Sequence, residues 1–265
     1  MDISHWIKNH QILDGGVGTS LCDQGLDLKV DSPHHWNEQH PEKVASVHST
    51  FIEAGAQGIH TNSFAGLSAK APYETGKRAA EIAARTADYR ALVIGSIGPL
   101  GEKRPDARAR TRSLVKGLID GGAACIHLET LYEPKEAEVL LTETLHSATV
   151  PVFASVACQL GKQGPETILG QPLETFFEEL STNSLSAIGM NCALTPADMA
   201  SVIPALKSLN KPVIAQPTPS PDGTRQLSSE EFSQQCLRLL DLGATLIGGC
   251  CGTTHQDIRA LASAT

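Results

Sequence analysis

Two neighbouring cysteines lie inside a run of glycines, Ile247-Gly248-Gly249-Cys250-Cys251-Gly252-Thr253-Thr254, and a third closes an apolar segment at Met190-Asn191-Cys192. Three thiolates that meet at one point make a zinc site with one coordination position left open. Adjacent side chains on a regular strand face opposite ways, so Cys250 and Cys251 reach one metal only where the strand ends between them. Gly252 permits such a break, because glycine takes positive φ freely. The same residues also read as a metal-free pair, since free cysteine is among the most buried residue types. A vicinal disulfide is a third reading, disfavoured by its strained eight-membered ring.

What could bring residues sixty apart together is an alternation of short apolar runs with longer segments of helical period. Strands are predicted at 12–14, 58–62, 92–97, 125–130, 152–157, 187–192, 213–216 and 245–250. Amphipathic helices are predicted at 41–54, 74–88, 107–120, 135–146, 173–180, 196–209 and 229–240, with a last one from 254. Pro41 and Pro196 suit first helical turns, Thr195 suits an N-cap, and Gly55, Gly121 and Gly243 follow predicted helix ends. This is the pattern of an α/β protein with a single (β/α)8 TIM-type barrel spanning 1–265. An open doubly wound sheet competes, but no glycine-rich stretch forms a dinucleotide fingerprint with a spaced acidic residue. Barrel chemistry gathers at the C-terminal ends of strands. Cys192 and Cys250 fall at two such ends, and Asp14, Asn62, Ser96 and Glu129 at four others.

The 265 residues are 41% hydrophobic and 19% charged, enough for an independent core. A formal net charge of -8 gives no footprint for nucleic acid or an anionic membrane, so neither is expected as a partner. No run approaches 18 apolar residues, and Met1-Asp2-Ile3-Ser4-His5 lacks the order of a secretory signal, so a cytoplasmic location is expected. Seven cysteines, an odd number over a long chain, suit reduced thiols used for packing or metal chemistry. Residues 216–223 read as a loop after the seventh strand.

Several blocks together resemble the zinc-dependent homocysteine S-methyltransferase family. They are Ile12-Leu13-Asp14-Gly15-Gly16-Val17-Gly18-Thr19, Ala54-Gly55-Ala56, His60-Thr61-Asn62-Ser63-Phe64, Gly95-Ser96-Ile97-Gly98-Pro99, Glu129-Thr130, Gly189-Met190-Asn191-Cys192 and Gly248-Gly249-Cys250-Cys251-Gly252-Thr253. They occur in the family's order across nearly the whole chain.

The resemblance implies a barrel that moves a methyl group onto homocysteine sulfur to yield methionine, with Cys192, Cys250 and Cys251 as zinc ligands and the substrate sulfur as the fourth. It places Asp14 and Glu129 near the substrate amino group and the backbone at Gly15 near its carboxylate. Two carboxylates facing an ammonium make charge-assisted hydrogen bonds. An Asp-Gly turn cap is the other reading of Asp14, and a rim salt bridge that of Glu129. Thr61 and Asn62 are candidates for the same pocket or for loop hydrogen bonds. Trp36 lies where relatives have an aromatic near the donor pocket, and a ring face attracts a sulfonium; a Trp packed on the rim is the alternative. His60 and His127 share the faces of Asn62 and Glu129 and read as core residues. Cys158, ending the fifth strand, is a possible neighbour of the metal. The small-molecule partners implied are a thiol and a methyl donor. A sulfonium donor, S-methylmethionine or S-adenosylmethionine, needs only one barrel; betaine, methylated corrinoid or a non-catalytic zinc or thiol-binding barrel are the alternatives. After Phe64 the segment Ala65-Gly66-Leu67-Ser68-Ala69-Lys70 is shorter than in relatives, a departure at the predicted mouth.

Overall fold

The computed structural model describes residues 2–101, 104–180, 182–220 and 225–265. Ten strands are present among these: β1 Gln11–Ile12, β2 Gly58–His60, β3 Leu92–Ile97, β4 Cys125–Leu131, β5 Val152–Val156, β6 Cys158–Gly161, β7 Gly164–Thr167, β8 Ala187–Asn191, β9 Val213–Gln216 and β10 Leu246–Ile247. Eight form one parallel sheet in the order β1-β10-β9-β8-β5-β4-β3-β2. A parallel bridge from Leu13 to Gly58 brings its two edges together, supported by Asp14 N to Gly58 O at 3.0 Å and Gln57 N to Ile12 O at 2.7 Å. The predicted TIM-type barrel is therefore the fold.

The helices are α1 Ile3–Trp6, α2 Val17–Asp23, α3 Trp36–Gln39, α4 Pro41–Glu53, α5 Pro72–Ala87, α6 Ala107–Asp120, α7 Pro134–Ser147, α8 Leu173–Glu179, α9 Pro196–Met199, α10 Ile203–Lys207, α11 Ser229–Leu242 and α12 His255–Ala264. The helix expected over 196–209 is broken, because Pro204 lacks an amide donor and begins a new first turn in α10. The last barrel strand is shorter than expected, since Gly249 N turns to Asp14 O and Cys250 N to Pro217 O instead of continuing the ladder. β6 and β7 form an antiparallel hairpin in a stretch with no predicted element. Of the loop expected at 216–223, residues 221–223 lie outside the described residues. No helix among those described is long and apolar enough to cross a membrane.

The two-residue side-chain period sorts each barrel strand into an outer and an inner face. Val93, Ile126, Leu128, Ala154, Ile188, Ala215 and Ile247 join the large core beneath the helices. Leu92, Ile94, Cys125, Phe153, Ala187, Ile214 and Leu246 form a separate inner cluster, closed from below by Trp6 and Ile7. Two to four positions further along, the same inward face turns polar while staying buried: Ser96 on β3, His127 and Glu129 on β4, Ser155 on β5, Asn191 on β8 and Gln216 on β9. The barrel thus has an apolar floor and a polar upper storey, both built by residue type on one strand face.

Candidate active site

The Sγ atoms of Cys192, Cys250 and Cys251 lie within 4.8 Å of one another at the mouth of the barrel. Tetrahedral zinc with sulfur at about 2.3 Å sets sulfurs ~3.8 Å apart, so the trio fits such an ion with one position open. Cys192 follows β8 with φ 63°, and Ala193 has φ 57°, which turns the chain sharply off the strand. Cys192 N donates to Gln216 O at 3.1 Å. The other two thiols sit beyond β10, so strand alternation does not constrain them. Gly252, at φ 76°, ends their turn, and Thr218 Oγ1 donates to Cys251 O at 2.7 Å. At Gly249 an added Cβ would stand 2.2 Å from Thr253 Cγ2, so no larger residue fits there. The loop is also tied to α12: Asp257, buried near its start, accepts from Arg225 Nη2 at 2.5 Å and from Thr254 N at 2.7 Å.

Hydrogen bonds from Cys250 and then Cys251 hold the Cys192 thiol far below its ordinary range. The bond to Cys192 pushes Cys250 and Cys251 up.

Beside the thiols runs a buried polar chain. Asp14 receives His60 N on one oxygen at 2.8 Å and meets His60 Nδ1 with the other at 2.7 Å. His60 Nε2 lies 3.0 Å from His127 Nδ1, and His127 Nε2 lies 2.7 Å from Ser155 Oγ. Ser96 Oγ donates to Glu129 at 2.5 Å. Burial disfavours a charged His60, but Glu129 and Asp14 outweigh it and lift this imidazole to about 9. Burial, reinforced by His60, keeps His127 neutral, and burial raises Glu129. The ligand atoms of His60, His127 and Glu129 also lie within 4.8 Å. Their imidazole nitrogens are already spent on each other, Asp14 and Ser155.

A description of homocysteine S-methyltransferases matches residues 11–265. The chain belongs to the homocysteine S-methyltransferase family. The methionine synthase of Mycobacterium tuberculosis is 27% identical over 293 residues, and that of Mycobacterium leprae 26% over 291. Each match covers 95% of this chain and 24% of the relative, so the chain spans about a quarter of their length. The apo homocysteine methyltransferase MmuM of Escherichia coli is 25% identical with a TM-score of 0.79, covering 97% of this chain and 96% of that one. Its metallated form, at 24% identity and a TM-score of 0.82 over the same shares, shares the fold.

In this homocysteine S-methyltransferase family member the three thiols line a cavity of about 270 Å³ together with Gly15, Thr61, Asn62 and Glu129. That is near the lower end of ligand pockets, roughly 300–1,000 Å³, and suits a small substrate. Thr61 is engaged by Ser96 N at 3.0 Å. Asn62 donates to Pro33 O at 2.7 Å, so its amide braces the mouth loop. Asp14 stands apart from the cavity wall: it is fully buried, and His60 takes both of its oxygens. The Asp14 oxygens expected near a substrate amino group are thus engaged by His60, one by its backbone N and the other by Nδ1. Trp36 is also elsewhere, buried in the core with Lys43 Nζ 4.7 Å from its ring centroid. The aromatic on the cavity wall is Phe64, 43% exposed. Cys158 opens the β6–β7 hairpin and packs in the outer core, away from the thiol trio.

Ser96, expected at the rim, lines the wall, and residues that sequence reasoning did not assign to the site join it: His34, His60, Thr130, Asn191 and Gln216. For Gln216 the usable signal was strand-end position. For His60 it was the face shared with Asn62, which was read as core.

Proposed function

We propose that this chain methylates the sulfur of homocysteine to give methionine, with zinc held by Cys192, Cys250 and Cys251 and a sulfonium as methyl donor. The observation that carries this reading is the convergence of three thiols with one buried carboxylate, Glu129, on a single small cavity. Zinc, when bound, would keep the substrate thiol ionised at neutral pH, where a free thiol is mostly protonated.

The protein's own residues then bind and orient. Glu129 receives the ammonium through a charge-assisted hydrogen bond, and Ser96 fixes which way the carboxylate faces. Asp14 contributes from behind by holding His60, and the Gly15 backbone lies on the wall for the substrate carboxylate. His34 Nε2 and Gln216 Oε1 are buried on the wall without partners among the described residues, the kind of group whose desolvation a polar ligand offsets. Phe64 lines the mouth, where a ring face attracts a cationic sulfonium. Holding acceptor and donor in line within one enclosure supplies much of the rate.

The test is methionine formation from homocysteine by metal-loaded protein with S-methylmethionine, S-adenosylmethionine, betaine and methylcobalamin in parallel. Turnover with a sulfonium is expected. Turnover with betaine or methylcobalamin alone reassigns the donor. A loaded protein that forms no methionine with any of them overturns the catalytic reading in favour of a thiol-binding barrel.

A further inference from the structure

We infer that Asn191 is a positioning residue that locks the Glu129 end of β4 to the thiol cluster and hydrogen-bonds one of its sulfurs. The inference rests on reading the three thiols as a metal centre. Asn191 is the last residue of β8, adjacent to Cys192, and is 1% exposed. Its carboxamide makes three contacts with two neighbours. Oδ1 accepts from Thr130 N at 2.8 Å, and Nδ2 donates to Thr130 Oγ1 at 2.8 Å and to Cys250 Sγ at 3.8 Å.

Thr130 is the residue this fork must hold. It follows Glu129 directly and has φ 59°, the left-handed region that a β-branched side chain avoids. The pairing of β4 with β5 shifts register between Leu128 and Leu131, so the ladder does not impose that conformation. Strain of this kind persists only where surrounding contacts over-determine it. Asn191 supplies a two-point clamp on Thr130 from a neighbouring strand end. The backbone that follows Glu129 and the sulfur of Cys250 are thus tied to one amide group. An N–H directed at a coordinating sulfur also withdraws charge from it, the way outer partners tune metal ligands. A carboxamide is the side chain that accepts from an amide while donating to both a hydroxyl and a sulfur.

Asn191→Asp separates the two duties. Its carboxylate still accepts from Thr130 N, and the Thr130 hydroxyl can turn to donate, but no N–H remains for Cys250. Asn191→Ala removes both. Each protein is loaded with Co²⁺, and the sulfur-to-cobalt charge-transfer absorption is read beside kcat and KM; exchange of the Thr130 amide proton is read in the metal-free proteins. For Asn191→Asp the band should move to lower energy and kcat fall about 10- to 100-fold, the usual effect of losing an outer metal partner, with Thr130 exchange as in wild type. Asn191→Ala should add a raised KM for homocysteine and Thr130 exchange faster by roughly 10²-fold, as expected of an amide released from a local structure. An Asp variant with the wild-type band and kcat overturns the sulfur contact. An Ala variant with unchanged Thr130 exchange overturns the clamp. Wild-type protein that takes up no cobalt removes the metal-centre reading and the sulfur contact with it, while Thr130 exchange still decides the clamp.

Discussion

The floor and the rim of this barrel are fed by the same strands and lie only a few residues of sequence apart. Cys125 lies in the floor among Leu92, Phe153 and Ile214, and burial alone drives its thiol far up, out of reach of ionisation at neutral pH. Cys192, Cys250 and Cys251 lie at the rim, where loops turn their sulfurs toward one another and hydrogen bonds from the other two hold the Cys192 thiol far below its ordinary range. Surroundings, not residue type, separate an inert thiol from one proposed to hold a metal. The comparison also assigns the two storeys different kinds of failure. Damage below should cost stability and spare the chemistry, and damage above should do the reverse.

Replacing Cys251 with Ala is the sharpest test of the rim. It leaves two thiols and an open side, so methionine formation should fall by roughly 10³-fold or more, as for a group acting within a unit. Bound zinc should fall with it, while the unfolding midpoint of the metal-free protein stays near wild type. A zinc-loaded, active variant breaks the ligand assignment. In the floor, Leu92→Ala should destabilise by about 2–5 kcal/mol through lost burial and a residual cavity. Its kcat per folded molecule should match wild type, and a loss of kcat at full folding would break the division between storeys. Glu129→Gln lies between these extremes. It keeps the size of the side chain but removes the charge facing the ammonium, so KM for homocysteine should rise by about 10²-fold, in line with a charge-assisted bond of 1.5–3 kcal/mol. Zinc stoichiometry should not change. Unchanged KM removes Glu129 from the pocket.

How much of this was legible follows from which interactions are local. The barrel showed in the strand and helix alternation, and the thiol site in glycines around Cys250 and Cys251 and in an Asn-Cys pair ending an apolar run. Glu129 was visible as a carboxylate at a strand end. The shielding of Asp14 by His60 was not, because it depends on the register that sets Leu13 beside Gly58 and thereby His60 against Asp14. Nothing in Glu129-Thr130 signals a left-handed Thr130, since the clamp comes from Asn191, 61 positions away. Trp36 was misplaced because an aromatic in a short polar segment carries no mark of the side it packs against; α3 turns it into the core. The β6–β7 hairpin escaped because Cys158-Gln159-Leu160-Gly161 is largely solvent-facing and too short for a clear period.

His60 sits where the two storeys meet, and its proton offers the finest probe of the boundary. Asp14 faces it from the end of β1, Glu129 and His127 from β4, and His48 from α4. Burial would keep this imidazole neutral, yet the two carboxylates raise it to about 9, above its ordinary 6.5. The folded state therefore holds a proton that the unfolded chain releases earlier. This stabilisation is complete below pH 6.5 and disappears as pH rises through 9. A single proton limits the slope to about 1.4 kcal/mol per pH unit, so unfolding free energy should fall by about 1 kcal/mol between pH 7 and 8. His60→Gln can still donate to Asp14 but carries no titrating proton, and the difference between the two proteins isolates this contribution from the thiols. If wild type and His60→Gln trace parallel profiles across that interval, the imidazole is neutral in the folded protein. Asp14 and Glu129 would then face each other without a buried cation between them, and the substrate ammonium would be the charge that Glu129, on the cavity wall, requires.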